Sequence, residues 1–199
     1  MVRAFHDGLA PLTDAGRLRH LLAQFPYDFR DTPETRARLA RIREQFGDVS
    51  HVTLELRHRS WQSPEAIEFL RSLDVTVANL DYPTGRDSFN LPHCDVGAHA
   101  YLRLHGRNRH AWFSREAGRD ETYNYLYSGS EIDAIVQRAV RIASMSKSLT
   151  LIANNHYQGK EAVNALELKA KLSGDRVAVP PMLLQRYPHL ERIAMPSNR

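Results

Sequence analysis

The stretch HVTLELR, residues 51–57, alternates apolar and polar side chains along its whole length. A two-residue period places Val52, Leu54 and Leu56 on one face of a strand and Thr53, Glu55 and Arg57 on the other. The stretch AHAYLRLHG (98–106) repeats the pattern, with Leu102 and Leu104 opposite Arg103 and His105. Three more apolar runs, HLLAQF (20–25), VTVANLD (75–81) and SLTLIANN (148–155), complete a set of five candidate strands. Between them lie helix candidates at 33–46, 63–72, 130–146 and 160–173. Thr32-Pro33 and Ser63-Pro64 read as N-caps followed by proline in the first turn, and Gly174 reads as a C-cap.

Strands alternating with amphipathic helices specify an α/β protein with a parallel sheet. A sheet covered by helices on both sides calls for apolar residues on both faces. One face here carries Glu, Arg and His instead. That suits a (β/α) barrel whose strand ends open into a polar site better than a flat doubly wound sheet. The segments 82–97 and 106–127 lack a sustained period and read as long loops, which in a compact domain are usually functional or mobile.

Composition narrows the class. The chain has 199 residues, 42% hydrophobic and 25% charged, normal for a globular domain with a real core. A net charge of +4 tolerates a polyanionic partner without demanding one, and the basic run RARLARIRE (36–44) reads as a solvated helix face. The single cysteine, Cys94, precludes an internal disulfide and fits a reducing compartment. With no apolar signal core near the start and no run of about 18 apolar residues, the expected location is the cytoplasm.

Polar residues cluster at the carboxyl ends of the candidate strands: Gln24; Glu55 with Arg57 and His58; Asp81; Arg103 with His105; Asn154 with Asn155. In α/β barrels those ends and the loops after them build the active site. Glu55 or Asp81 can accept a proton, His105 can shuttle one, and Arg57 or Arg103 can hold an anionic group through a two-pronged contact. The asparagines orient a ligand without adding charge. A buried Glu beside an Arg fits a structural ion pair equally well. The phosphate-cradling glycine motifs are missing, as are HxxxH, HxH and CxxC spacings, so neither a cofactor nor a metal is expected. The loop HGRNRHAWFSREAGRDETYNYLY interleaves Arg with aromatic residues, the pattern of a single-strand nucleic-acid surface or of a lid packed down by its rings.

The motifs AQFPYDF (23–29), ELRHRSW (55–61), YLRLHGRN (101–108), YNYLYSGSEI (123–132) and IANNHYQGKEAVNALEL (152–168) together resemble the DUF72 family of TIM-barrel proteins, the YecE-like group. The resemblance runs from about Phe5 to the C-terminal VPPMLLQRYPHL. It implies a TIM-barrel fold but no reaction. It places Trp61, Gly106, Tyr125, Tyr127 and Asn164 at motif positions beside the strand-end set. Family members usually open with a GTSGW-like strand and an FYR-like motif, which are absent here, so the resemblance implies the last five strand-helix units of eight. The expectation is a partial TIM barrel: a single DUF72-like domain over residues 1–199, N-terminally truncated relative to the family. A complete barrel takes about 250 residues. An open one leaves unpaired strand edges that a partner chain or self-association would cover.

The expected ligand is small and polar or anionic, bearing phosphate or carboxylate, bound at the strand carboxyl ends. Glu55, Asp81 and His105 are the candidate catalytic residues. Gln24, Arg57, His58, Arg103, Tyr125, Tyr127, Asn154 and Asn155 are the candidate ligand-binding residues. Two alternatives stand beside this reading: a nucleic-acid or phosphate binder, and a remnant without independent activity.

Overall fold

The computed structural model describes residues 2–196. Its elements are, in order, α1 (Val2–Asp14), β1 (His20–Gln24), α2 (Pro33–Phe46), β2 (His51–Glu55), α3 (Pro64–Ser72), β3 (Thr76–Val77), β4 (Asn79–Asp81), β5 (His99–Leu104), α4 (Arg109–Phe113), α5 (Arg119–Thr122), α6 (Gly129–Ser144), β6 (Ser148–Ala153), α7 (Lys160–Ser173) and α8 (Pro181–Arg186). The fold is mixed α/β. The strands form two three-stranded sheets, ordered β1-β2-β3 and β4-β5-β6. The first is parallel, with His20 opposite His51 and Gln24 opposite Glu55.

The helices begin where local chemistry tells them to. Thr32 caps α2 reciprocally: Thr35 N–H donates to Thr32 Oγ1 at 3.3 Å, and Thr32 N–H donates to Thr35 Oγ1 at 2.9 Å. Ser63 Oγ accepts from Ala66 N–H at 3.2 Å to start α3. Gly174, at φ +76°, ends α7 in the left-handed conformation that a side chain would resist. The run 75–81, read above as one strand, is two. Val77 N–H is taken by Val96 O at 3.1 Å, and Ala78 N–H still reaches Leu54 O at 2.9 Å. Asn79–Asp81 then belongs to the other sheet. The loop 106–127 also contains two short helices, α4 and α5.

The chain divides into two compact units. The first takes in the chain up to Asn79 with Thr84–Tyr101 and Ile142–Thr150; the second takes in Leu80–Pro83, Leu102–Arg141 and the chain from Leu151 onward. In the first, Val52, Leu54 and Leu56 are buried with Leu39 of α2, Ala66 and Leu70 of α3, Val75, Val77 and Trp61. Each such aliphatic side chain contributes about 1.5–3 kcal/mol by leaving water. Trp61 satisfies its buried indole N–H on Phe29 O at 2.8 Å. In the second, Leu102, Leu104, Ile132, Ile135, Ala139, Val163 and Leu168 are buried. Among the described residues no helix is long and apolar enough to cross a membrane.

Candidate functional site

The alternation in β2 places a carboxylate where water does not reach. Thr53 and Glu55 are as completely buried as Leu54, so the polar face is covered as well. An ionised carboxylate there needs partners, and Glu55 Oε1 accepts from Arg57 Nε at 2.9 Å and Nη2 at 2.6 Å. Gln24 lies opposite Glu55 in register, and Phe25 N–H donates to the Glu55 carbonyl at 3.1 Å. His58 follows at 5% exposure. Its Nδ1 accepts from Ser60 N–H at 3.1 Å, which puts the proton of the neutral ring on Nε2. That Nε2 is buried without a hydrogen-bond partner among the described residues. Burial and the nearby Arg30 guanidinium hold the ring's pKa below its ordinary value. Gln24, Glu55, Arg57 and His58 all belong to the first unit.

The second unit holds the remaining candidates, in two groups. Main-chain bonds from His105 N–H to Asp81 O (2.8 Å) and from Asn154 N–H to Leu104 O (2.7 Å) bring the carboxyl ends of β4, β5 and β6 side by side. From there the side chains diverge in role. Asp81 is clamped: Arg107 donates from Nε to Oδ1 at 2.9 Å and from Nη2 to Oδ2 at 2.7 Å. The Tyr127 hydroxyl also donates to Oδ1, at 2.8 Å, and Arg138 stands 3.9 Å from Oδ2. Arg107 reaches Glu131 as well (3.0 Å), and Glu131 accepts from Tyr125 OH at 2.7 Å. The Asp81 bond raises the Arg107 pKa, while burial raises that of Tyr127. Burial and the Glu131 bond push the Tyr125 phenol up to about 12.

The segment bearing those tyrosines is held by amides. Asn155 donates to Tyr125 O at 2.8 Å and to Asn164 Oδ1 at 2.9 Å. Asn164 Oδ1 accepts from Tyr127 N–H at 3.1 Å, and its amide donates to Glu167 Oε2 at 3.0 Å. Gly106 makes the turn possible. At φ +87° its N–H donates to Tyr127 OH at 2.9 Å, and a Cβ there would lie 2.6 Å from Tyr125 Cβ.

The other group is more open. Arg103 Nη2 donates to Asn154 Oδ1 at 2.8 Å, and Asn154 Nδ2 donates to His105 Nδ1 at 3.2 Å. With Asn154 oriented by Arg103, His105 Nδ1 is an acceptor, so the neutral ring carries its proton on Nε2. Around His105 stand Trp112, Tyr123 and Tyr82, with ring centroids at 5.7, 6.0 and 6.3 Å, and His156 lies 4.8 Å from Tyr123. Arg103, Asn154, Trp112, Tyr123 and His156 are half-exposed. Sequence reading named Arg103, His105 and Asn154 but not Trp112, Tyr123, His156 or Arg107. The aromatic spacing of the 106–127 loop was the signal for Trp112 and Tyr123, whereas nothing local marks Arg107 as the partner of Asp81. Cys94 is buried, and burial pushes its pKa up to about 11.

Parallel strands alternating with helices define an α/β protein, not a helical or all-β scaffold. The chain belongs to the DUF72 family, described as a protein of unknown function, whose family model matches residues 1–187. It is similar to the crystal structure of a DUF72 family protein from Thermotoga maritima, at 33% identity and a TM-score of 0.78, over 86% of this chain and 64% of that one. Two crystal structures of a DUF72 family protein from Enterococcus faecalis are also similar. One matches at 27% identity and TM-score 0.78, covering 90% of this chain and 66% of that one. The other matches at 28% and 0.76, covering 87% and 68%. The chain thus spans about two thirds of the length of these relatives. No curated protein matches the sequence.

Proposed function

We propose that this DUF72 protein binds a small anionic ligand carrying a planar group, at the carboxyl ends of β5 and β6. The observation that carries the reading is the chain from Arg103 through Asn154 to His105, flanked by Trp112 and Tyr123. Arg103 supplies the charge for a carboxylate or phosphate, Asn154 fixes the guanidinium, and the rings offer faces for a planar group. His105 supplies the imidazole in direct contact with the Asn154 side chain, the group in this set suited to pass a proton. Asp81 and Tyr127 act behind them as positioning residues, because their polar atoms are committed to Arg107 and Gly106. The two sheets correspond, in this reading, to strands of a (β/α) barrel, in which ligands meet the strand carboxyl ends.

Trp112 reports on the site, since the other tryptophan, Trp61, is fully buried in the first unit. Phenyl phosphate and benzoate are expected to change Trp112 emission in the wild type and to lose that effect in Arg103→Ala. An equal response from both proteins refutes the assignment. A nucleic-acid reading is favoured by the half-exposed Phe113 with the Arg109 guanidinium 5.1 Å from its ring centre, beside Trp112 and Arg107. Binding of short single strands that weakens steeply with salt would favour it, and salt-independent or absent binding removes it.

A further inference from the structure

Three strands of this protein open on histidine: His20 on β1, His51 on β2 and His99 on β5. All three belong to the first unit and line one cavity of about 410 Å³, with Arg19, Asp48, Ser50 and Ser148. The cavity lies at the amino ends of β1, β2, β5 and β6. The His51 and His99 rings stack at 4.0 Å and 22°, and His20 stands 5.7 Å from His51. Hydroxyls fix two of the rings: His20 Nδ1 contacts Thr53 Oγ1 at 2.8 Å, and His99 Nδ1 contacts Ser148 Oγ at 2.8 Å. Each contact uses Nδ1 and leaves Nε2 to a ligand.

A metal does not fit this arrangement. Stacked rings present their lone pairs side by side instead of converging on a point, and among the described residues no group of three His, Cys, Asp or Glu is spaced to hold a metal ion. The surrounding charge points the other way. Arg19 precedes β1, Lys147 precedes β6, and Asp48 is the carboxylate of the lining. Arg43 of α2 and Asp74 line the adjoining cavity of about 160 Å³ with His51 and His99, and they pair with each other at 3.1 Å. Rings this close oppose the protonation of His20 and of His99. Burial, then His51, His99 and Arg19, push His20 down to about 4, and burial with His51 and Lys147 lowers His99. A group that brings negative charge to the rings would relieve that repulsion.

We propose that the histidine cavity is a second, proton-coupled site for a tetrahedral oxyanion such as sulfate or a phosphoryl group. The anion takes up protons as it binds, the imidazolium Nε2–H groups and the serine hydroxyls donating to its oxygens. Each proton taken up strengthens binding by up to about tenfold per unit fall in pH.

Sulfate stays dianionic between pH 5.5 and 7.5, so titrating the full chain with sulfate isolates the histidine protons. Its association constant is expected to rise at least about tenfold from pH 7.5 to 5.5. In wild-type protein, sulfate is expected to move the NMR titration midpoints of the His20 and His99 ring protons upward. The double variant His20→Asn/His99→Asn should lose the pH dependence. Arg103→Ala should keep it, which separates this site from the one at the strand carboxyl ends. Inorganic phosphate and glycerol 3-phosphate, as second and third ligands, tell a free ion from a phosphomonoester. Undetectable sulfate binding, pH-independent binding, unmoved histidine midpoints, or a dependence that survives in the double variant overturns the proposal.

Discussion

Replacing Asp81 with asparagine tests whether its carboxylate anchors the fold or is held for chemistry. The side chain is 9% exposed and answers two guanidiniums and a phenol. Removing one member of a buried charge pair costs about 3–5 kcal/mol, because the remaining charge loses its partner. Arg107 is 38% exposed and keeps Glu131 at 3.0 Å, so solvent screening trims the expected loss to about 2–3 kcal/mol. With a urea slope of about 2 kcal/mol/M, the midpoint of Asp81→Asn should fall by about 1–1.5 M, read by circular dichroism. Tyr127→Phe strips the hydroxyl from Asp81 and Gly106, and the double variant should lose less than the sum of the two singles by about 0.5 kcal/mol or more. An unchanged or raised midpoint in Asp81→Asn would refute the anchoring role. It would mark the carboxylate as one maintained at a cost to stability, the signature of a functional group.

Gly106→Ala should lower stability by about 2–4 kcal/mol in the same titration, since φ +87° and the 2.6 Å approach to Tyr125 Cβ both oppose a side chain. Cys94 should stay unreactive toward a thiol reagent in the native state at pH 8 and react on unfolding, because its pKa stands near 11. Rapid native labelling would contradict its burial. His20 has a folded pKa of about 4 against an ordinary 6.5, so between those values the unfolded chain binds more protons than the folded one. Its contribution is complete above pH 6.5 and is lost as the pH falls toward 4. For a half-exposed ring, screening reduces this to about 1–2 kcal/mol. His20→Asn should flatten that part of the stability profile measured without added anion, and an unchanged slope would sink the assignment.

The helices α2 and α7 were legible to the residue, because a helix start depends on neighbours three positions away: Thr32, Pro33 and Thr35 settle one end within four residues. Four of the five strand runs were legible as single strands, whereas 75–81 proved to be two, and the five motifs pointed to the family that the 1–187 match establishes. The candidate site was half legible. Arg103, His105 and Asn154 announce themselves as polar groups at strand ends, yet the bond joining His105 to Asn154 spans 49 positions. Asp81 reads in the sequence as a strand-end carboxylate, and only the fold shows Arg107 reaching it from 26 residues away. The three histidines were unremarked in the sequence because nothing in their separations signals a cluster. Parallel register sets His20 opposite His51, and the fold stacks His99 on His51. Local propensity and capping act through near neighbours and are written in the chain. Register and long-range ion pairing exist only once strands have been brought together, and so tertiary structure alone decided which polar residues pair with which.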